Sequence, residues 1–208
     1  MTDLPRKRRV SVVLFEGFEL LDVFGPVELL GHVPHVAVDY VGPHPGPVRS
    51  SQGAQIVADL SYPQLVATPD IVLVPGGTGT RRLVTDKPFL SWLAETGEHS
   101  QLLVSVCTGS AVLAAAGLLE GYRATSNKLA FTWASSFGRN VGWESHARWV
   151  EDRDRWTSSG VAAGMDMTAA LIASLFGPGV REAAVIRAEY QPQTDSTVDP
   201  FAQVHGLT

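Results

Sequence analysis

Cys107 is the only cysteine among 208 residues, and its surroundings give it chemical interest. Leu102 to Val106 form a short apolar run, partly β-branched, that reads as a buried strand. Ser110 to Leu119, rich in Ala and Leu and free of Pro, reads as a helix. Cys107-Thr108-Gly109 therefore falls where a strand turns sharply into a helix. A thiol there lies beside the unpaired N–H groups of a first helical turn, whose partial positive charge favours the thiolate. At an ordinary pKa near ~8.5 only about 3% of a thiol is ionised at pH 7, whereas a pKa near ~6.5 would ionise most of it. The arrangement is that of a nucleophile elbow, a strained turn holding an attacking atom above a sheet. The plain alternative is a buried cysteine packing as a small hydrophobe.

Two further strand ends carry candidate groups. Phe15 leads into Glu16, Glu19 and Asp22, and Val74-Pro75 leads into Gly76-Gly77. Asp22 is flanked by Leu20, Leu21, Val23 and Phe24, an apolar setting for an acid. It reads either as an exposed acid near a helix N-terminus or as a partner for Cys107. Two full negative charges side by side would repel, so such a pair would share one proton, a thiolate hydrogen-bonded by a carboxyl. Gly76 and Gly77 would let backbone N–H groups face a developing negative charge, as an oxyanion hole requires. They also suit a plain strand-to-helix turn.

Other chemistries lack the residues they need. The six histidines show no metal-ligand spacing, so surface or structural roles and no metal are expected. Gly76-Gly77-Thr78-Gly79 is not a phosphate loop, because no Gly-Lys-Ser/Thr follows, and no dinucleotide fingerprint is present. The aromatic residues Phe131, Trp133, Trp143, Trp149 and Trp156 are expected in the core or in dimer contacts.

These groups need a scaffold. Val10–Phe15, Val36–Val41, Asp70–Pro75 and Leu102–Val106 read as strands, the first nearly continuously apolar as in a parallel sheet covered on both faces and the third buried. Helices are expected at Leu20–Val33 (with Pro26 tolerable only near its first turn), Lys87–Gly97, Leu129–Phe137, Ala162–Phe176 and, as the last, Val180–Tyr190. Val48–Leu60 reads as a hairpin around Ser50-Ser51-Gln52-Gly53. Tyr122–Thr125 suggests a short strand, and His146–Asp152 with Arg155–Ser159 a second hairpin turning at Asp152-Arg153-Asp154. Strands alternating with helices predict an α/β sandwich with a mostly parallel sheet. Residues 1–9 read as a flexible basic arm, 10–190 as one α/β domain, and 191–208 as a tail wrapping its surface.

A formal net charge of -5 argues against a nucleic-acid partner. A single cysteine makes no internal disulfide, and no signal peptide or membrane-length apolar run is evident, so a soluble cytoplasmic protein is expected.

Four ordered stretches also resemble a known family. Leu21-Asp22-Val23-Phe24-Gly25-Pro26, Val74-Pro75-Gly76-Gly77-Thr78-Gly79, Val106-Cys107-Thr108-Gly109-Ser110 and Thr157 to Asp166 are similar to the ThiJ/PfpI superfamily, most of all to its isocyanide hydratase branch. The resemblance implies a flavodoxin-like three-layer sandwich, like that of class I glutamine amidotransferases, and a homodimer. It also implies a small-molecule substrate, with Cys107 as nucleophile, Asp22 as acid, Thr108 as the adjacent hydroxyl and Gly77 in the oxyanion region. Protease-like and glyoxalase-like members typically carry His directly after the cysteine, where this chain has Thr108. The Arg-Ala-Thr-Thr-His stretch of many relatives reads Arg123-Ala124-Thr125-Ser126-Asn127. Both departures remove an imidazole base and disfavour a Cys–His protease.

The reaction implied is hydration of an isocyanide to an N-substituted formamide without a cofactor. An uncharged, slim substrate needs no basic pocket, and none is evident in the sequence. Two alternatives stay open: glyoxalase or deglycase chemistry on 2-oxoaldehydes, and a non-catalytic cysteine-based redox or ligand sensor. Similar domains precede DNA-binding helices in some regulators, but the chain reaches Thr208 with no expected room for that module.

Overall fold

The computed structural model describes residues 7–65 and 67–207. Strand β1 (Arg8–Val13) opens the chain, followed by helix α1 (Leu20–Gly31) and β2 (Val36–Gly42). The hairpin β3 (Gly46–Arg49) and β4 (Gln55–Ala58) follows, then the two-residue β5 (Leu60–Ser61) and β6 (Ile71–Val74). Next come α2 (Thr80–Leu83), α3 (Lys87–His99), β7 (Leu102–Ser105) and α4 (Gly109–Ala115). Short pieces β8 (Arg123–Ala124), α5 (Phe131–Ala134) and β9 (Gly142–Trp143) lead to the hairpin β10 (Trp149–Asp152) and β11 (Arg155–Ser158). Helices α6 (Ala163–Phe176), α7 (Pro178–Arg187) and α8 (Pro200–Val204) complete the fold.

Seven strands make the main sheet in the order β10-β11-β7-β6-β1-β2-β5, and only β10 runs antiparallel to its neighbour. The central strands β6 and β7 are apolar and almost wholly buried, because helices cover them. Helices α1, α6 and α7 pack together as one layer, and α2 and α3 both pack on α4, which lies on β6 and β7. This is the flavodoxin-like α/β architecture. The chain passes from β1 to β2 on one side and later to β6 on the other, so the order in which strands are added reverses at β1/β6. Ligand sites of such sheets lie outside the carboxyl ends of the strands at that reversal. Asp22, Gly76 and Cys107 follow β1, β6 and β7, three adjacent strands.

Several boundaries differ from the sequence reading. Arg8 and Arg9 belong to β1 rather than to an arm: the Arg9 guanidinium pairs with Asp39, and the Arg9 backbone N–H donates to Asp70 Oδ2 at 2.8 Å. Residues 1–6 of the expected arm lie outside the described residues. Pro26 sits in the interior of α1, where its missing N–H leaves the Asp22 carbonyl without its helical donor. Helix α4 stops at Ala115, short of Leu119, because Gly117 adopts φ 79°. Helix α5 covers only Phe131–Ala134 of the expected Leu129–Phe137. Val180–Tyr190 is not the last helix either. Asp199 caps α8 by accepting the Phe201 N–H at 3.0 Å, with Pro200 at the first helical position.

Candidate functional site around Cys107

Cys107 adopts φ 58°, a left-handed conformation that a non-glycine residue occupies only when its surroundings enforce it. Three hydrogen bonds do so. Its N–H donates to the Ser159 carbonyl at 3.1 Å, and its carbonyl accepts from Ser126 Oγ at 3.0 Å and Ser110 Oγ at 3.2 Å. The elbow expected from the strand–Cys–helix pattern is therefore present, braced from three separate parts of the chain.

Asp22 is fully buried, as is little else that carries charge. The Gly76 N–H donates to its Oδ2 at 2.8 Å. Its Oδ1 is buried without a nitrogen or oxygen partner, and the side chain that steadies the carboxylate is the Cys107 thiol. Burial pushes the Asp22 carboxyl up to about 8, the Gly76 N–H opposes that rise, and the negative charge of Glu19 adds to it. An exposed acid at the helix surface is thereby ruled out.

The thiol is also pushed up, first by burial and then by the negative charge of Asp22. The Thr108 N–H and hydroxyl and the Asn127 side chain act in the opposite direction but do not prevail. This corrects the expectation of an acidified cysteine. The helix that follows has only seven residues, and Cys107 is 7% exposed, so loss of water outweighs the helix end. Each anion disfavours the other, and near neutrality the pair retains at least one proton.

The glycines act differently from the sequence reading. The Gly76 N–H is occupied by Asp22, and the Gly77 N–H donates to Thr108 Oγ1 at 3.1 Å. Neither faces an open position for an oxyanion; together they hold the acid and the hydroxyl in place. Both positions demand glycine. A Cβ on Gly76 would come within 2.6 Å of the Thr108 nitrogen and 2.8 Å of Cys107 Cβ. Gly77 has φ 128°, and a Cβ there would lie 2.3 Å from the Gly17 carbonyl oxygen. Thr108 Oγ1 also lies 3.1 Å from Thr80 Oγ1, which donates to the Gly77 carbonyl at 2.7 Å.

Sequence reasoning noted Asn127 only as a departure from a histidine. The structure brings its amide against Cys107 and Gly160, with Oδ1 accepting the Ala130 N–H at 3.0 Å. Nδ2 is then the group free to donate to sulfur. Ser126 and Ser159 were missed as braces of the elbow. Both are plain serines, and nothing short of the tertiary fold brings them to Cys107. Arg81 was missed as well: its guanidinium carbon lies 3.4 Å from the centre of the Trp133 ring, near enough to Cys107 to feel its charge. The expectation of no basic group near the site therefore does not hold. Among the described residues no group of three His, Cys, Asp or Glu side chains is placed to hold a metal ion.

The pattern of the DJ-1/PfpI family runs over residues 8–174, from β1 almost to the end of α6. This chain belongs to the DJ-1/PfpI family. Among similar proteins, the isonitrile hydratase of Pseudomonas putida is 32% identical over 184 residues, 88% of this chain and 79% of that protein. The HTH-type transcriptional regulator CdhR of Pseudomonas aeruginosa is 31% identical over 173 residues, 80% of this chain and 50% of that protein. A ThiJ/PfpI protein from Pseudomonas syringae superposes with a TM-score of 0.85 at 29% identity, covering 100% of this chain and 88% of that one. Drosophila melanogaster DJ-1beta reaches 0.79 at 20% identity over 89% of this chain and 99% of that one, a likeness of fold alone. The similarity thus extends to a hydratase and to a regulator. Among the described residues no helix is long and apolar enough to cross a membrane.

Proposed function

We propose that this DJ-1/PfpI protein hydrates an isocyanide to an N-substituted formamide, with Cys107 as nucleophile and Asp22 as the group that moves its proton. The observation carrying this reading is the buried carboxyl–thiol pair at a braced elbow, where among the described residues no imidazole acts on the thiol and the carboxyl is pushed up to about 8. The isonitrile hydratase of Pseudomonas putida, similar over most of both chains, supports it.

The chemistry starts from the form of the pair that holds one proton. Sulfur bonds to the terminal isocyanide carbon while the proton passes through Asp22 to that carbon, giving a thioimidate, R–N=CH–S, and leaving Asp22 ionised. Asp22 then takes a proton from water as the hydroxyl adds to the carbon, and passes it to nitrogen. The resulting R–NH–CH(OH)–S centre collapses: the C–S bond breaks, the hydroxyl proton returns to Asp22, and the formamide leaves. One water is consumed and the pair regains its starting proton. Thr108, its hydroxyl positioned by the Gly77 N–H, and the Asn127 amide stabilise the sulfur as it departs. The reading calls for no cofactor.

A homodimer in a reducing cytoplasm suits the same reading. Leu21 and Phe24, flanking Asp22 on α1, are 41% and 43% exposed, apolar surface that a second copy would cover.

The test is incubation of wild-type protein and Cys107→Ala with a panel of isocyanides and 2-oxoaldehydes. Formamide produced only by the wild type is the expected result. An isocyanide left unconsumed while the thiol still titrates would end the reading, and Cys107-dependent lactate from methylglyoxal would replace it with a glyoxalase.

A further inference from the structure

Arg81 lies one residue beyond Thr80, whose hydroxyl is 3.1 Å from Thr108 Oγ1, and so borders the Cys107 elbow on one side. Trp133 lies on α5, six residues beyond Asn127, whose amide steadies the sulfur. The two meet face to face: the guanidinium carbon of Arg81 is 3.4 Å from the Trp133 ring centre. Phe137 packs edge-on against the same ring at 5.1 Å, which holds the indole in place.

Stacking of this kind fixes the plane of a guanidinium but leaves its edge donors unused. Among the described residues no carboxylate or carbonyl accepts from the Arg81 guanidinium, whereas that of its neighbour Arg82 donates to the Glu16 carbonyl at 3.2 Å. Arg82 is a structural cation and Arg81 an open one. A planar fork with two free N–H edges, held still beside a nucleophile, matches a carboxylate better than any other group.

We infer that Arg81, stacked on Trp133, recognises a carboxylate on the substrate, so that the site takes small electrophiles carrying an anionic end. Resting on the hydratase reading, this makes the substrate class an isocyanide whose substituent ends in a carboxylate. Arg81 is a specificity-determining group that touches no reacting atom.

Two measurements test it, one independent of the reaction. The first is the rate of alkylation of Cys107 by iodoacetate and by iodoacetamide, reagents alike in reach and leaving group but different in charge. Relative to wild type, Arg81→Met lowers the iodoacetate-to-iodoacetamide rate ratio by about two- to fivefold, the worth of one exposed ion pair. Arg81→Lys retains part of it, and Trp133→Leu, which frees the guanidinium, lowers it too. The second is kcat/KM for isocyanoacetate and for its neutral ester, whose ratio falls in Arg81→Met chiefly through KM. An alkylation ratio unchanged in Arg81→Met overturns the proposal. Failure of the wild type to consume either isocyanide removes the hydratase reading instead, and the alkylation ratio still decides the role of Arg81.

Discussion

The Gly76 N–H donates to Asp22 Oδ2 at 2.8 Å, so a backbone group at the carboxyl end of β6 positions an acid carried by α1. This bond binds the carboxyl but does not overcome its burial, and Asp22 titrates at about 8 rather than near 4. Much of the behaviour of the site follows from that balance.

For stability, the sign is set by a folded pKa raised above the unfolded value. The stabilising contribution is complete below pH ~3.9 and is lost as pH rises toward about 8, because over that window the unfolded chain ionises while the native carboxyl keeps its proton. We expect wild-type stability to fall over this window by on the order of 1 kcal/mol per pH unit attributable to Asp22. Asp22→Asn removes that slope and is the more stable protein at pH 8. Urea midpoints at pH 5, 6, 7 and 8 check both statements.

For reactivity, the form of the pair with one proton accumulates as pH rises through about 8, and with it turnover. Asp22→Asn separates two roles. Removing the carboxylate charge, which pushes the thiol up, lets sulfur ionise more readily, so alkylation of Cys107 is retained or quickened. Turnover nonetheless falls by about 10²-fold or more, because no group carries the proton to carbon. Labelling and steady-state rates measured on the same protein across pH 6 to 10 distinguish these outcomes.

Asn127 offers the sulfur an amide hydrogen bond that opposes the rise imposed on the thiol by burial and by Asp22. Replacing it with Leu takes away a donor to a developing thiolate, an interaction of about 1.5–3 kcal/mol. The thiol should rise further and turnover drop by about 10-fold or more. Asn127→Gln, which keeps the amide, recovers part of the loss. The pH dependence of thiolate absorbance near 240 nm gives the readout that a folding defect alone would not move.

How far these groups could be read without coordinates depends on the range of the interaction that places each. The parallel sheet, the elbow and the three strand ends were legible because short apolar runs and Gly-rich turns are local signals. Cys107 and Asp22 stood out as a lone thiol and an acid among apolar residues. The raised thiol pKa was not legible. A helix end can be read from sequence, whereas burial of Cys107 arises from the sheet, α1 and the segment after β11 together. For the same reason the N–H groups of Gly76 and Gly77 were expected to face a substrate. Only the fold reveals that Asp22 and Thr108 already accept them. Ser126, Ser159 and the Arg81–Trp133 stack are contacts between residues far apart in sequence, built from residue types with no distinctive pattern. Helix α8 had a local signal, Asp199-Pro200, inside a segment whose polarity masked it.

Gly76 gives a sharper test of the elbow than Cys107 itself. Gly76→Ala places a methyl 2.6 Å from the Thr108 nitrogen and 2.8 Å from Cys107 Cβ, against backbone that cannot rotate aside. Either β6 retreats or the elbow shifts, at a cost of about 1–3 kcal/mol. Because the Gly76 N–H holds Asp22, a shift also loosens the acid. We expect loss of turnover to exceed what the stability change explains, measured as kcat per folded molecule.

Away from the elbow, Arg148 bridges the hairpin β10–β11 to α6 and the C-terminal segment. Its Nε and Nη2 donate to Asp166 Oδ2 at 2.6 and 2.5 Å, and its Nη1 lies 3.8 Å from Asp199 Oδ1. Asp166 also accepts the Tyr190 hydroxyl and, at 2.8 Å, the Gln193 N–H. The Arg148 N–H donates to the Ser196 carbonyl at 2.8 Å. With the side chains of Arg148 and Asp166 only 12% and 2% exposed, removing the cation leaves a buried carboxylate without its counter-charge. Arg148→Met should therefore destabilise the fold by about 3–5 kcal/mol, whereas Asp166→Asn, which keeps a hydrogen-bonding side chain in place, costs less. The C-terminal segment depends on this ion pair for its docking, so limited proteolysis of Arg148→Met should cut first between Tyr190 and Asp199. Cleavage elsewhere first, with that segment intact, would mean that the ion pair does not hold it.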